Sequence, residues 1–152
     1  MAKKPTSLIP QSAAQTKSKT IYLDKDVSLL TGWKEKGNHA MVFLSLRFIQ
    51  HEYQCFSEWS KIEMKSFWAF LEKLSSFTWQ QIYDQSGKSN KTGLGYTTID
   101  KYQYPLSEFK EQLSEDITLF ELRVDDKKRI HGFRHEAVFY ACWLDKNHDI
   151  CN

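Results

Sequence analysis

The chain has 152 residues, is 41% hydrophobic and 14% aromatic, and carries a formal net charge of +2 at pH 7. This length and apolar content suit one domain, and so small a charge excludes nucleic-acid affinity from bulk charge alone, leaving only local clusters to supply it. No run of about 18 apolar residues occurs, which excludes a membrane-spanning helix, and the first residues lack the apolar stretch of a secretory signal, so a cytoplasmic protein is expected.

Residues 1–20 hold Lys3, Lys4, Lys17 and Lys19 and no acid, with little apolar surface to bury. They read as a basic, disordered tail, either simply solvated or an arm for an acidic partner, ahead of one α+β domain over residues 21–152. Residues 21–40 are a polar lead-in with Trp33 isolated in it. From Met41 to Phe48, Val42, Leu44, Leu46 and Phe48 alternate with Phe43, Ser45 and Arg47, the period of a strand. Ser57 is a candidate helix N-cap, and Ser60 with Glu63 is a second one, a capping box. Trp59, Ile62, Phe67, Phe70, Leu71 and Leu74 then recur at helical spacing, predicting an amphipathic helix over 58–75. Thr78 caps a second, short helix through Trp79, Ile82 and Tyr83, and the helical pair is expected to cover one face of a sheet. That aromatic stripe reads as core rather than as a cofactor pocket.

Ser86 to Tyr96, SGKSNKTGLGY, is a loop in which Lys88 and Lys91 could attract an anion, as a flexible surface loop or as an RNA or substrate flap. It lacks the spacing of a phosphate-binding loop, so no nucleotide cofactor is expected. TTIDKYQY is a candidate short strand ended by Pro105, and Ser107 caps an amphipathic turn with Phe109 and Leu113 on one face.

The segment from Ile117 to Ile150 predicts a C-terminal antiparallel meander, ITLFELRV, RIHGFR and AVFYACWL, within an antiparallel sheet. In the first strand, Thr118, Phe120, Leu122 and Val124 share one face, and Glu121 and Arg123 lie together on the other as an ion pair or a solvated face. The second places Arg129, His131 and Phe133 opposite Ile130, Gly132 and Arg134, unless Gly132 marks a bulge, so the two arginines need not converge. The third is apolar on both faces, with Val138, Tyr140, Cys142 and Leu144 opposite Ala137, Phe139, Ala141 and Trp143, as expected of a strand covered on both sides. His131 is either a general acid or base or a hydrogen-bonded structural residue. Asp145 and His148 stand three positions apart, but no further ligand can be named, so no metal is expected. Cys55, Cys142 and Cys151 are odd in number and lack metal-ligand spacing, which argues against disulfides and zinc.

This order of strand, helical pair, loop and basic meander, with the segments RIHGFR and FYACWLDKNHDI, resembles the RelE-like toxins of bacterial toxin–antitoxin systems. The resemblance covers about Met41 to Ile150 and implies a toxin with an antitoxin partner, cleaving RNA without a metal through attack of the RNA's own 2′-hydroxyl. In that reading His131 or His148 moves a proton, and Arg134 and Arg129 stabilise the phosphorane. Arg123, Lys88 and Lys91 grip the backbone. The alternative is a non-catalytic toxin or inhibitor that binds a host protein through its sheet edge, loop or tail. DITLF ends like a sliding-clamp-binding peptide, but Leu119 and Phe120 point to opposite faces of a strand and read as core. An enzyme acting on a small metabolite has no cofactor or nucleophile motif to support it.

Overall fold

A computed structural model describes residues 36–86 and 93–151. The tail expectation for residues 1–20, Trp33, Lys88 and Lys91 lie outside the described residues. Among the described residues five strands form one sheet: β1 (Phe43–Ser45), β2 (Thr97–Thr98), β3 (Phe120–Arg123), β4 (Arg129–His135) and β5 (Val138–Asp145), in the order β1-β5-β4-β3-β2. β3, β4 and β5 form the expected antiparallel meander, and β2 adds antiparallel to β3. β1 instead pairs parallel to β5, so the sheet is mixed rather than wholly antiparallel. It is also far shorter than Met41–Phe48. Met41 only bridges to Thr78, and Phe48 packs with Phe109, Phe133 and Tyr140 on the far side of the sheet.

The helices are α1 (Lys61–Ser75), α2 (Trp79–Asp84) and α3 (Glu108–Gln112). α1 starts at the Ser60 capping box, where Ser60 Oγ accepts from Glu63 N at 3.2 Å and Glu63 Oε1 accepts from Ser60 N at 2.9 Å. Ser57 belongs to a preceding 3₁₀ turn, Phe56–Glu58, so the start expected at 58 moves three residues on. Thr78 with Gln81 caps α2 in the same reciprocal way. Past Thr98 the TTIDKYQY segment turns into a 3₁₀ helix, Lys101–Gln103, in place of more strand. No helix among the described residues is long and apolar enough to cross a membrane.

Two apolar layers sandwich the sheet. On one face, Phe67, Phe70 and Leu74 of α1 and Trp79 and Ile82 of α2 pack on Phe120, Leu122, Ile130, Phe139 and Leu144, as the helical periodicity requires, whereas Ile62, counted in the same stripe, is 77% exposed in the first turn of α1. On the other, Ile99, Tyr104, Leu119, Cys142, Trp143 and Ile150 form a second cluster, with Phe109 of α3 against it. Each fully buried Leu or Phe contributes about 1.5–3 kcal/mol, against about 1 kcal/mol or less for an exposed ion pair, so these layers dominate stability.

A β-bulge decides where polar groups go. The tight hairpin pairs His135 with Val138, and regular pairing from there would set His131 opposite Cys142; the register instead shifts between His131 and Gly132, and His131 faces Trp143. Cys142 is the additional residue, so Cys142 and Trp143 both join the second cluster and Leu144 returns to the first. The strict alternation read from AVFYACWL therefore fails in its last two residues, Trp143 and Leu144. Gly132 is required here, since a Cβ on it would lie 1.9 Å from the Tyr140 carbonyl oxygen. Gly132→Ala is expected to lower unfolding free energy by about 3 kcal/mol, because backbone rather than a flexible side chain must yield. A change below about 1 kcal/mol in chemical denaturation would show that the bulge relaxes freely.

Candidate active site

The bulge places three residues in one row at the end of the sheet, Arg123 on β3, Arg129 on β4 and Asp145 on β5. Two positions along, Glu121, His131 and Trp143 form the next row on the same face. Charged and imidazole groups are thus packed beside one another, with the turn after β5 folded over them.

His131 is the centre. It is 0% exposed, with Nδ1 3.0 Å from Tyr104 Oη and Nε2 3.3 Å from Asp145 Oδ2. Asp145 is equally buried and accepts the backbone N–H groups of Asp149 at 2.7 Å and Ile150 at 3.0 Å. Burial pushes the Asp145 carboxyl upward, but the His131 hydrogen bond and these two N–H groups outweigh it and hold it below the usual carboxylate value. Burial holds His131 below its ordinary value despite Asp145. The pair is a rigid floor, its imidazole fixed from both ring nitrogens.

Glu121 lies over that floor. Its Oε2 is 3.6 Å from His131 Nε2 and 3.9 Å from His148 Nε2, and its Oε1 is 3.9 Å from Arg129 Nε. The buried Oε2 accepts no hydrogen bond among the described residues. Burial pushes the carboxyl up to about 7, with Asp145 adding to the shift and Arg129 and Arg123 opposing it. His148 moves the opposite way, held below its ordinary value by burial and by Arg129. A neutral imidazole and a half-protonated carboxyl therefore coexist near pH 7, which are the two protonation states that acid–base catalysis needs.

Exposure is graded across the cluster. His131 and Asp145 are the buried base, while the side chains of Arg129 and His148 keep 13% and 28% of their surface at the rim. His148 adopts a left-handed backbone (φ 58°), an arrangement that costs a non-glycine residue about 1 kcal/mol and turns its ring back over the strand end. Gln54 braces this turn, donating to Asp149 Oδ2 at 2.7 Å and accepting from Asn147 N at 2.9 Å.

Of the residues singled out by sequence, His131, His148 and Arg129 come together, with Arg123 at the end of the same row. Arg134 does not. It lies on the opposite face, 4.5 Å over the Trp79 ring, donating to Glu136 O, Asn38 Oδ1, Tyr83 Oη and Gly37 O. Its donors are used in tying residues 36–38 to the hairpin, a structural role. Glu121 has Arg129 as its ion-pair partner in place of the expected Arg123. Asp145, Glu121 and Tyr104 were not expected as site members, although pairing β3 with β4 across the DDKK turn would have set Glu121 opposite His131. Among the described residues no three His, Cys, Asp or Glu side chains are placed to hold a metal. No protein-family model, curated protein or solved structure matches this chain.

Proposed function

We propose that the protein is a metal-independent ribonuclease whose proton-transfer pair is Glu121 and His148. The observation that carries this reading is the Glu121 carboxyl, buried, unbonded at Oε2 and held near neutrality between two imidazoles and an arginine. His148, neutral near pH 7 and part exposed on a turn, takes the proton of the ribose 2′-hydroxyl. The 2′-oxygen attacks the adjacent phosphorus, and the bond from phosphorus to the 5′-oxygen breaks. Protonated Glu121 gives its proton to that leaving oxygen, and a 2′,3′-cyclic phosphate results. Arg129 faces the charge that builds on the phosphorane. His131 and Asp145 are positioning residues that fix the floor under Glu121. A toxin paired with an antitoxin, acting on cellular RNA, fits such chemistry in the RelE-like manner.

The expected pH profile of kcat/KM is a bell, with its alkaline limb near 7 from Glu121 and its acid limb below the ordinary histidine value from His148. His148→Ala should lower kcat by about 100-fold or more with little change in RNA affinity, whereas Arg129→Ala should weaken affinity and flatten its salt dependence. The check is cleavage of a fluorescent oligoribonucleotide in the presence of a chelator, with separate filter-binding titrations. Wild-type protein that neither binds nor cleaves RNA at low ionic strength overturns the reading.

A second reading, an inhibitor docking on a host protein, is favoured by the outer surface of α1. There Met64 and Trp68, one turn apart, are 36% and 53% exposed, and Trp is enriched at protein interfaces.

A further inference from the structure

We infer that the cleft between α1 and the end of β3 is a second phosphate subsite, taking an RNA phosphate away from the scissile one; the inference rests on the ribonuclease reading for its ligand but not for its geometry. The cleft has a volume of about 410 Å³, with Phe70 and Leu94 among its apolar walls and Lys73, Arg123, Asp125 and Asp126 as its charged groups.

Among the described residues its two cations have few partners. Arg123 donates no side-chain hydrogen bond among the described residues, and neither it nor Lys73 forms an ion pair there. Among the described residues Lys73 reaches only the Gly93 carbonyl, at 3.5 Å. Burial, followed by the nearby Arg123 charge, holds the Lys73 amine below its ordinary value. Arg123 is also paired directly across the ladder with Arg129, an arrangement of like charges that is unfavourable in a sheet, and of the two only Arg129 has an ion-pair partner among the described residues, Glu121. A guanidinium has five N–H donors in a planar fork, the geometry that suits phosphate oxygens. Gly95, with φ 62°, makes room for that fork: a Cβ there would lie 2.9 Å from Arg123 Nη2.

The acids of the cleft do not cancel these charges. Asp125 is engaged by Lys128 Nζ at 2.7 Å and by the backbone N–H groups of Lys127 and Lys128, and those bonds hold its carboxyl below the usual value even though burial pushes upward. Asp126 is exposed to solvent. Two cations therefore face one engaged carboxylate and one solvated one. Arg123 stands in the row of Arg129, so a chain whose scissile phosphate meets Arg129 can continue along the β3 end towards Lys73.

The test uses the full-length protein with Lys73→Gln, which keeps a polar, unbranched stem one atom shorter and removes the charge, and follows two probes. Titration with inorganic phosphate, read by amide NMR shifts of Gly93 to Gly95 and Arg123, should show saturable binding that Lys73→Gln weakens on the order of tenfold, the effect of losing one charge-assisted hydrogen bond. A 2′-deoxy oligonucleotide several residues long should bind the variant more weakly, with a salt slope reduced by about 0.7, while cleavage of a dinucleotide stays at the wild-type rate. Equal phosphate binding by wild type and variant, or shifts spread over the surface without saturation, overturns the subsite. Lys73-dependent phosphate binding in a protein that cleaves no RNA supports the cleft and removes the ribonuclease reading alone.

Discussion

Glu121→Gln is expected to raise stability at pH 8 by about 3 kcal/mol while abolishing RNA cleavage. The magnitude follows from a carboxyl whose value rises from 4.5 in the unfolded chain to about 7 in the folded protein. Below the unfolded value the group is protonated in both states, and the folded protein has its full stability. Between 4.5 and 7 the unfolded chain ionises while the folded protein keeps protonated a buried carboxyl that accepts no hydrogen bond at Oε2, so stability is lost across that interval, and the loss is complete once pH has risen through about 7. Gln fills the same space without ionising. Denaturant midpoints measured from pH 5 to pH 8 should therefore show wild type and variant diverging mainly between pH 5 and 7. A gap that stays constant across that range would show that Glu121 titrates normally and take the acid out of the proposed mechanism. Stabilisation together with lost activity is the pattern expected when a strained group is kept for chemistry.

The amphipathic pattern from Trp59 to Leu74, the caps at Ser60 and Thr78, and the faces of β3 were legible because each depends on neighbours in sequence. The parallel partner of β5 was not. β1 is three residues long, and its pairing depends on a contact nearly a hundred residues away that no local period encodes. The site was half legible for a related reason. His131, His148 and Arg129 stood out by residue type, but their acidic partners depend on register. Glu121 could have been placed by counting back from the turn between β3 and β4, where Arg123 meets Arg129. Asp145 could not, because the additional residue at Cys142 shifts it into the row of Arg129, and a single glycine was the one sign of that shift. Arg134 illustrates the converse. The alternation read from RIHGFR already sets it opposite Arg129, and it does lie on the helical face, where Trp79 and the carbonyls of Gly37 and Glu136 engage it, so its place among the site residues rested on residue type alone.

Asp145→Ala should be the most destabilising single change in the cluster, at about 4 kcal/mol. The side chain is fully buried, and its removal leaves the N–H groups of Asp149 and Ile150 and the Nε2 of His131 without their acceptor at once. Each orphaned buried donor costs about 1–3 kcal/mol, and a cavity adds to that. Asp145→Asn keeps one acceptor oxygen, so its loss should be smaller, and the difference between the two variants separates the backbone N–H bonds from the charge. The pH dependence gives an independent check. Asp145 is held below its unfolded value near 3.8, so its contribution is complete above that value and disappears as pH falls through the folded one. Wild type should consequently lose stability on acidification below about pH 4 more steeply than Asp145→Asn. Because Ile150 is buried in the second apolar cluster and its N–H is bonded to Asp145, the Ala variant should also release the turn that carries His148. Amide exchange at Asp149 and Ile150 would then accelerate far more than in the β3–β4 hairpin, whereas uniform acceleration throughout the sheet would mean that Asp145 supports the whole fold and not this turn in particular.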